Sequence, residues 1–181
     1  MQKDTIPVHW WKLALLGATV LLSIGVMAFV ALSAGIADPP YAGDLRWQAV
    51  NISDWESITI AEFQYFSAPA TLPNSPWTLE AQASGPWGLW LDDGTIRHHF
   101  STDGIAYISI SPENAPIWRE FIHVRADQPN TFYLHHADGE SIFRVNEEIA
   151  WQGPLSPVQA WGLYTPQDQP TPHITLRLYH P

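Results

Sequence analysis

No cysteine occurs among the 181 residues. Disulfides, thiolate metal sites and c-type haem attachment are therefore excluded, and any folded part must be held by its core alone. Lysine is confined to Lys3 and Lys12, so from Asp38 onward six arginines stand against seventeen acidic residues, a formal charge of −11. A surface of that sign repels nucleic acid and anionic headgroups and favours cations or basic proteins. Long helical periodicity is absent beyond residue 37, and sixteen prolines with ten tryptophans do not suit a helical bundle. Also missing are the G-x-S-x-G, H-E-x-x-H, phosphate-loop and dinucleotide-binding glycine patterns. No cofactor is expected.

What is present first is one long apolar run, Leu13 to Ala37, twenty-five residues without a charge. As a helix at about 1.5 Å per residue it would measure roughly 37 Å, enough to cross a hydrocarbon core of about 30 Å with some tilt. A secretory signal peptide also opens with charge followed by apolar residues, and Gly35 and Ala37 would suit its cleavage site. The apolar part of such a signal usually spans only about 7 to 15 residues, so a retained single-pass anchor is expected. Lys3 and Lys12 precede the run, whereas Asp38 and Asp44 follow it. That asymmetry predicts a cell-membrane protein with a cytoplasmic N-terminus and an extracytoplasmic C-terminal domain.

Small residues recur down one face of this segment at helical spacing: Ala14, Ala18, Gly25, Ala28 and Gly35. Lipid gives helices no hydrophobic reason to associate, so a stripe that admits a neighbouring backbone reads as a packing face for other membrane-protein subunits. Gly and Ala are also common in membrane helices generally, and both readings stay open.

The chain then divides into a tail over 1–12, the transmembrane helix over 13–37, a Pro-containing spacer over 38–44 and a β domain over 45–181. A weak strand is expected over Glu56 to Ile60. Trp77 to Ser84 alternates cleanly, with Trp77, Leu79, Ala81 and Ala83 on one face. Pro86 to Leu91 is a continuous apolar run suited to a central strand. Asp93-Gly94, Asp103-Gly104 and Asp138-Gly139 each lie between aromatic and β-branched runs, the short-range signature of a tight β-turn. The final strand, His173 to Tyr179, turns Ile174, Leu176 and Leu178 inward. About ten short strands at this spacing predict an all-β fold, a two-sheet antiparallel β-sandwich preceded by a single transmembrane helix.

Trp87-Gly88-Leu89-Trp90 and Trp161-Gly162-Leu163-Tyr164 echo one another. The succession Trp87-Gly88-Leu89, Thr131 to His136, a DG turn, Ile142 to Asn146, Ile149-Ala150-Trp151 and Trp161 to Tyr164 resembles the C-terminal half of a concanavalin A-like lectin or laminin-G-like jelly roll. The resemblance covers about residues 75 to 180, and the family's V-N-G turn reads Val145-Asn146-Glu147-Glu148 here, without the glycine. It implies a jelly-roll sandwich and, by analogy, carbohydrate as a partner.

Family members that cleave β-glucans carry an E-x-D-x-x-E strand, because retaining hydrolysis sets two carboxylates about 5 Å apart. That pattern does not occur, and Asp92-Asp93 and Glu147-Glu148 are adjacent pairs of the solvated kind, so no catalytic residue is expected. One histidine from His98-His99 and one from His135-His136 would have to meet to hold a metal with His123 or an aspartate. Polar strand residues are the plainer reading, and no metal site is assigned. Calcium on Asp92, Asp93 or Asp103 lacks a spaced D-x-D-x-D loop.

Tryptophans serve as sugar platforms, as core, or as protein contacts. Trp47, Trp55, Trp118 and Trp151 lie in segments of mixed polarity and are the expected surface aromatics, whereas Trp77, Trp87 and Trp161 are expected to be buried. Two functions follow. The first is a non-catalytic accessory subunit of a larger membrane complex, respiratory or photosynthetic electron transfer being one setting, whose sandwich braces partner subunits. The second is a membrane-tethered carbohydrate-binding module.

Overall fold

The computed structural model describes residues 10–33, 41–112 and 117–181. The chain divides into two compact units, Met1–Pro39 and Pro40–Pro181. In the first, α1 spans Trp10–Ser33. It is long and apolar enough to cross a membrane, and no described side chain over 12–30 is buried. Ala14, Ala18, Gly25 and Ala28 are accordingly exposed, while Gly35, with the rest of 34–40, lies outside the described residues. Two hydroxyls of this helix are satisfied within it: Thr19 Oγ1 donates to Leu15 O (3.0 Å) and Ser23 Oγ to Thr19 O (2.9 Å).

Among the described residues the second unit holds thirteen strands: β1 Asp44–Ala49, β2 Ser57–Ile60, β3 Phe63–Ser67, β4 Trp77–Ala83, β5 Trp87–Asp92, β6 Arg97–Thr102, β7 Tyr107–Pro112, β8 Trp118–Glu120, β9 Asn130–Ala137, β10 Glu140–Val145, β11 Glu148–Pro154, β12 Ala160–Pro166 and β13 Thr175–His180. They form a six-stranded sheet, β1-β13-β4-β9-β10-β11, and a seven-stranded sheet, β2-β3-β12-β5-β6-β7-β8, with every pairing antiparallel. Late strands β12 and β13 sit between early ones, the nested order of a jelly roll. The apolar run Trp87–Leu91 takes the central position of the larger sheet, as its unbroken hydrophobicity requires.

The core lies between the sheets. Alternating residues of β4 (Trp77, Leu79, Ala81, Ala83) and β13 (Leu176, Leu178) face those of β5, β6 and β12. Phe132 anchors its middle, 4.1 Å from the Trp87 ring and 4.9 Å from Phe143 between ring centres. Trp47, Trp55 and Trp161 pack together at 5.8 to 6.2 Å. Fully burying side chains of this size contributes about 1.5 to 3 kcal/mol each, which lets the domain dispense with disulfides.

The three DG signals differ in geometry. Only Asp138-Gly139 makes a two-residue hairpin, with φ of 54° and 81° between the Ala137–Glu140 pair. The other two close wider loops, 93–96 and 103–107, where the aspartate carboxylate organises the backbone. Asp93 Oδ1 accepts from Thr95 and Ile96 N (both 2.8 Å), and Asp103 Oδ1 from Ile105, Ala106 and Tyr107 N (2.8 to 2.9 Å). The turn without its glycine forms nonetheless: Asn146 and Glu147 adopt φ of 51° and 77° between β10 and β11. At the domain's entry Gly43, φ 84°, presses on the His180–Pro181 backbone, and Asp44 pairs with His180.

Candidate functional site

Strand alternation gives the seven-stranded sheet a second, outward face. Along the register, Tyr65, Tyr164, Gly88, Ser101, Ser109 and Trp118 form one rung across β3, β12, β5, β6, β7 and β8. Gly162, Trp90, His99 and Ser111 form the next, and Asp92 with Arg97 the one beyond. Three of these aromatics, Tyr65, Trp90 and Tyr164, are no more than 5% exposed although they stand on the outside of the sandwich.

The echo of WGLW and WGLY explains how they lie flat. In the β5–β12 pair Gly88 is opposite Tyr164 and Gly162 opposite Trp90. A Cβ on Gly88 would strike the Tyr164 ring, and one on Gly162 would strike the Trp90 indole and Phe66 O. Each copy of the motif thus supplies the bare backbone over which the other copy's aromatic folds. Trp90 Nε1 donates to Leu163 O (3.1 Å) and Phe66 O (3.3 Å), fixing the indole, and Tyr65 stacks on Tyr164 at 5.3 Å and 17°. Arg97 lies over the Trp90 ring (4.8 Å) and is paired with Asp92 at 3.1 Å.

A cleft of about 710 Å³ opens on this face, toward the end of the sheet that holds the β2–β3 turn, the start of β5 and the loop after β12. Its walls are aromatic, from Phe63, Tyr65, Tyr164 and Trp118, and its polar lining includes His99 and Ser101. Carboxylates of Glu62, Asp103 and Asp168 line it as well. His99 is 4% exposed and its Nε2 has no hydrogen-bond partner among the described residues. Burial, reinforced by Arg97 and His98, lowers its pKa to about 4, so at neutral pH the ring is uncharged. Ser101 Oγ, also buried, stands by the Tyr164 hydroxyl without a hydrogen bond of normal geometry, and the adjacent Ser109 hydroxyl is likewise unpaired. Burial raises the pKa of both Tyr164 and Tyr65, which remain protonated donors.

Of the expected surface aromatics, only Trp118 stands exposed, at 44%, and it borders the cleft. Trp47, Trp55 and Trp151 are half-buried and pack against the core, because the loop and edge segments that carry them fold back over it. Trp77, Trp87 and Trp161 are buried. The sequence reading missed Tyr65, Trp90, Tyr164, His99 and Ser101. For Trp90 and Tyr164 the signal was the repeated motif itself, whose first aromatic faces the core and whose fourth residue, an odd number of steps on, faces out; Tyr65, His99 and Ser101 lie outside it. His98-His99 and His135-His136 lie on different sheets, His99 on the outer rung of one and His135 bonded to Thr78 of the other, so one from each pair does not meet. Asp92 is paired with Arg97, and Asp93 and Asp103 hold their own loops. Among the described residues no three metal-ligating side chains come together.

The sequence matches no protein-family model and no curated protein. Solved structures align with it at low identity. A carbohydrate-binding module from Bacillus subtilis aligns at 10% identity and TM-score 0.47, over 78% of this chain and 97% of its own. A galectin from Caenorhabditis elegans aligns at 11% and 0.48, over 74% and 96%. A prokaryotic β-1,3-1,4-glucanase derived from a mouse hindgut metagenome aligns at 10% and 0.43, over 65% and 71%. The β domain is a two-sheet antiparallel sandwich with jelly-roll strand order and an aromatic cleft on the outer face of its larger sheet.

Proposed function

We propose that the outer face of the seven-stranded sheet binds carbohydrate without cleaving it, and that α1 anchors the domain to a membrane. The observation that carries this reading is the combination in one cleft of flat aromatic rings and buried polar groups left without partners, His99 Nε2 and Ser101 Oγ. An unsatisfied buried polar atom costs roughly 1 to 3 kcal/mol, which marks this floor as one not optimised for stability alone, and the exposed Trp118 indole at its border offers a sugar ring a stacking face. The carboxylate of Asp103 is committed to its turn, and those of Glu62 and Asp168 belong to exposed residues, which is an arrangement for contact rather than for a buried acid.

The full chain in detergent micelles, applied to a glycan array and then titrated with the best binder, tests the reading. Trp118→Ala and His99→Ala should each weaken binding by about tenfold or more, and no new reducing ends should appear on incubation. Binding indifferent to both variants would refute the cleft as the site. The anchor is checked by washing native membranes at alkaline pH, where the protein should stay with the lipid. The accessory-subunit reading rests on the small-residue stripe of α1, which includes Ala14, Ala18, Gly25 and Ala28. Its test is co-purification of stoichiometric partners in mild detergent.

A further inference from the structure

The charge around the cleft is one-sided. Glu62, Asp103 and Asp168 line it, and among the described residues no lysine or arginine does. The two arginines nearest along the outer rungs and the edge strand are engaged elsewhere. Arg97 is stacked over Trp90 and paired with Asp92, and Arg119, next to Trp118 on β8, donates through Nη2 to Ala150 O of the other sheet. His99, the remaining basic group on the cleft, is neutral at physiological pH. Electron-rich ring faces of Phe63, Tyr65, Tyr164 and Trp118 complete the wall. Aromatic faces and carboxylates both favour a cation, whereas a carboxylated or sulfated sugar would meet repulsion with no compensating donor charge.

Resting on the carbohydrate reading of this same cleft, we propose that its ligand is an amino sugar with a free, protonated amine, a glucosamine-type unit rather than glucose or its N-acetylated form. The sugar ring stacks on the exposed Trp118 indole, and the ammonium lies among Glu62, Asp168 and the ring faces, with His99, buried and unpartnered among the described residues, beneath them. A volume of about 710 Å³ accommodates a disaccharide.

The probes are three disaccharides: diglucosamine, its N,N′-diacetyl form and cellobiose. Each is titrated calorimetrically against the full chain in detergent micelles, at low salt, below and above the pKa of the amine. Diglucosamine is expected to bind about tenfold more tightly than either neutral disaccharide. That preference should shrink as the amine deprotonates or salt is added, and should fall to within about twofold in Glu62→Gln/Asp168→Asn, two exposed positions whose substitution spares the fold. Equal binding of all three sugars overturns the amine assignment and leaves the carbohydrate reading standing. No measurable binding of any sugar, or displacement of diglucosamine by spermidine at equal concentration, overturns the carbohydrate reading and the amine assignment with it.

Discussion

Gly162 shows what a single hydrogen in place of a methyl group decides. Its missing Cβ leaves room for the Trp90 indole and the Phe66 carbonyl, so Gly162→Ala must push apart two strands of the larger sheet and tilt the cleft floor. Overpacking of this kind costs about 1 to 3 kcal/mol, and the loss should appear as a lowered midpoint in thermal denaturation followed by tryptophan fluorescence. Glu147 invites the opposite change. It holds φ of 77° in a two-residue hairpin whose geometry favours glycine, at a cost of roughly 1 to 2 kcal/mol. Glu147→Gly should therefore raise the midpoint, by up to about that energy, in the same experiment. The difference in sign was legible at one site only. The sequence marks the hairpin's absent glycine directly, whereas the role of Gly162 depends on a cross-strand partner 72 positions away that no local pattern names.

Elements show the same division. Strands with strict alternation or unbroken apolar runs, β4, β5 and β13, were readable, because their side chains face a core on at least one side. Strand β2, exposed throughout, was legible only as the weak strand expected over Glu56 to Ile60, whereas β1 and β8 are mostly exposed and β3 is short, so they carry too little periodicity to be seen and exist because a neighbour supplies the ladder. The turn signals located the reversals but not their widths, since an aspartate before glycine serves both a two-residue hairpin and a loop capped by its carboxylate. Asp103 tests this: Asp103→Ala removes an acceptor from three backbone N–H groups at once. A loss of about 1 to 2 kcal/mol is expected. Faster amide exchange should be confined to 103–107 and its flanking strands, with the hairpin at Asp138-Gly139 unaffected.

For the whole molecule, the balance of protons on folding sets the response to acid. Burial lowers the pKa of His99, His135 and His136, so between the ordinary histidine value and about 4, the value for His99, the unfolded chain binds more protons than the folded one. Stability is full above that window and falls as pH is lowered through it. Asp93, held below its usual value by the Ile96 and Thr95 amides, adds a further loss at still lower pH. The melting temperature should drop between pH 7 and 4.5, and His99→Gln should flatten that limb by removing roughly one proton of uptake. The fold class was visible at this scale because composition and turn spacing are global properties. The cleft was hidden because it is assembled from five strands that meet only in the sheet, with aromatics that individually look like core.

Chain entry at Gly43 and exit past His180 share one corner of the six-stranded sheet, the first and last strands lying side by side. Joining those two points with a short linker and reopening the backbone between Asp138 and Gly139 should therefore yield a circular permutant that melts cooperatively. Such a permutant would carry its new ends on the hairpin between β9 and β10, neither of which belongs to the sheet that bears the cleft.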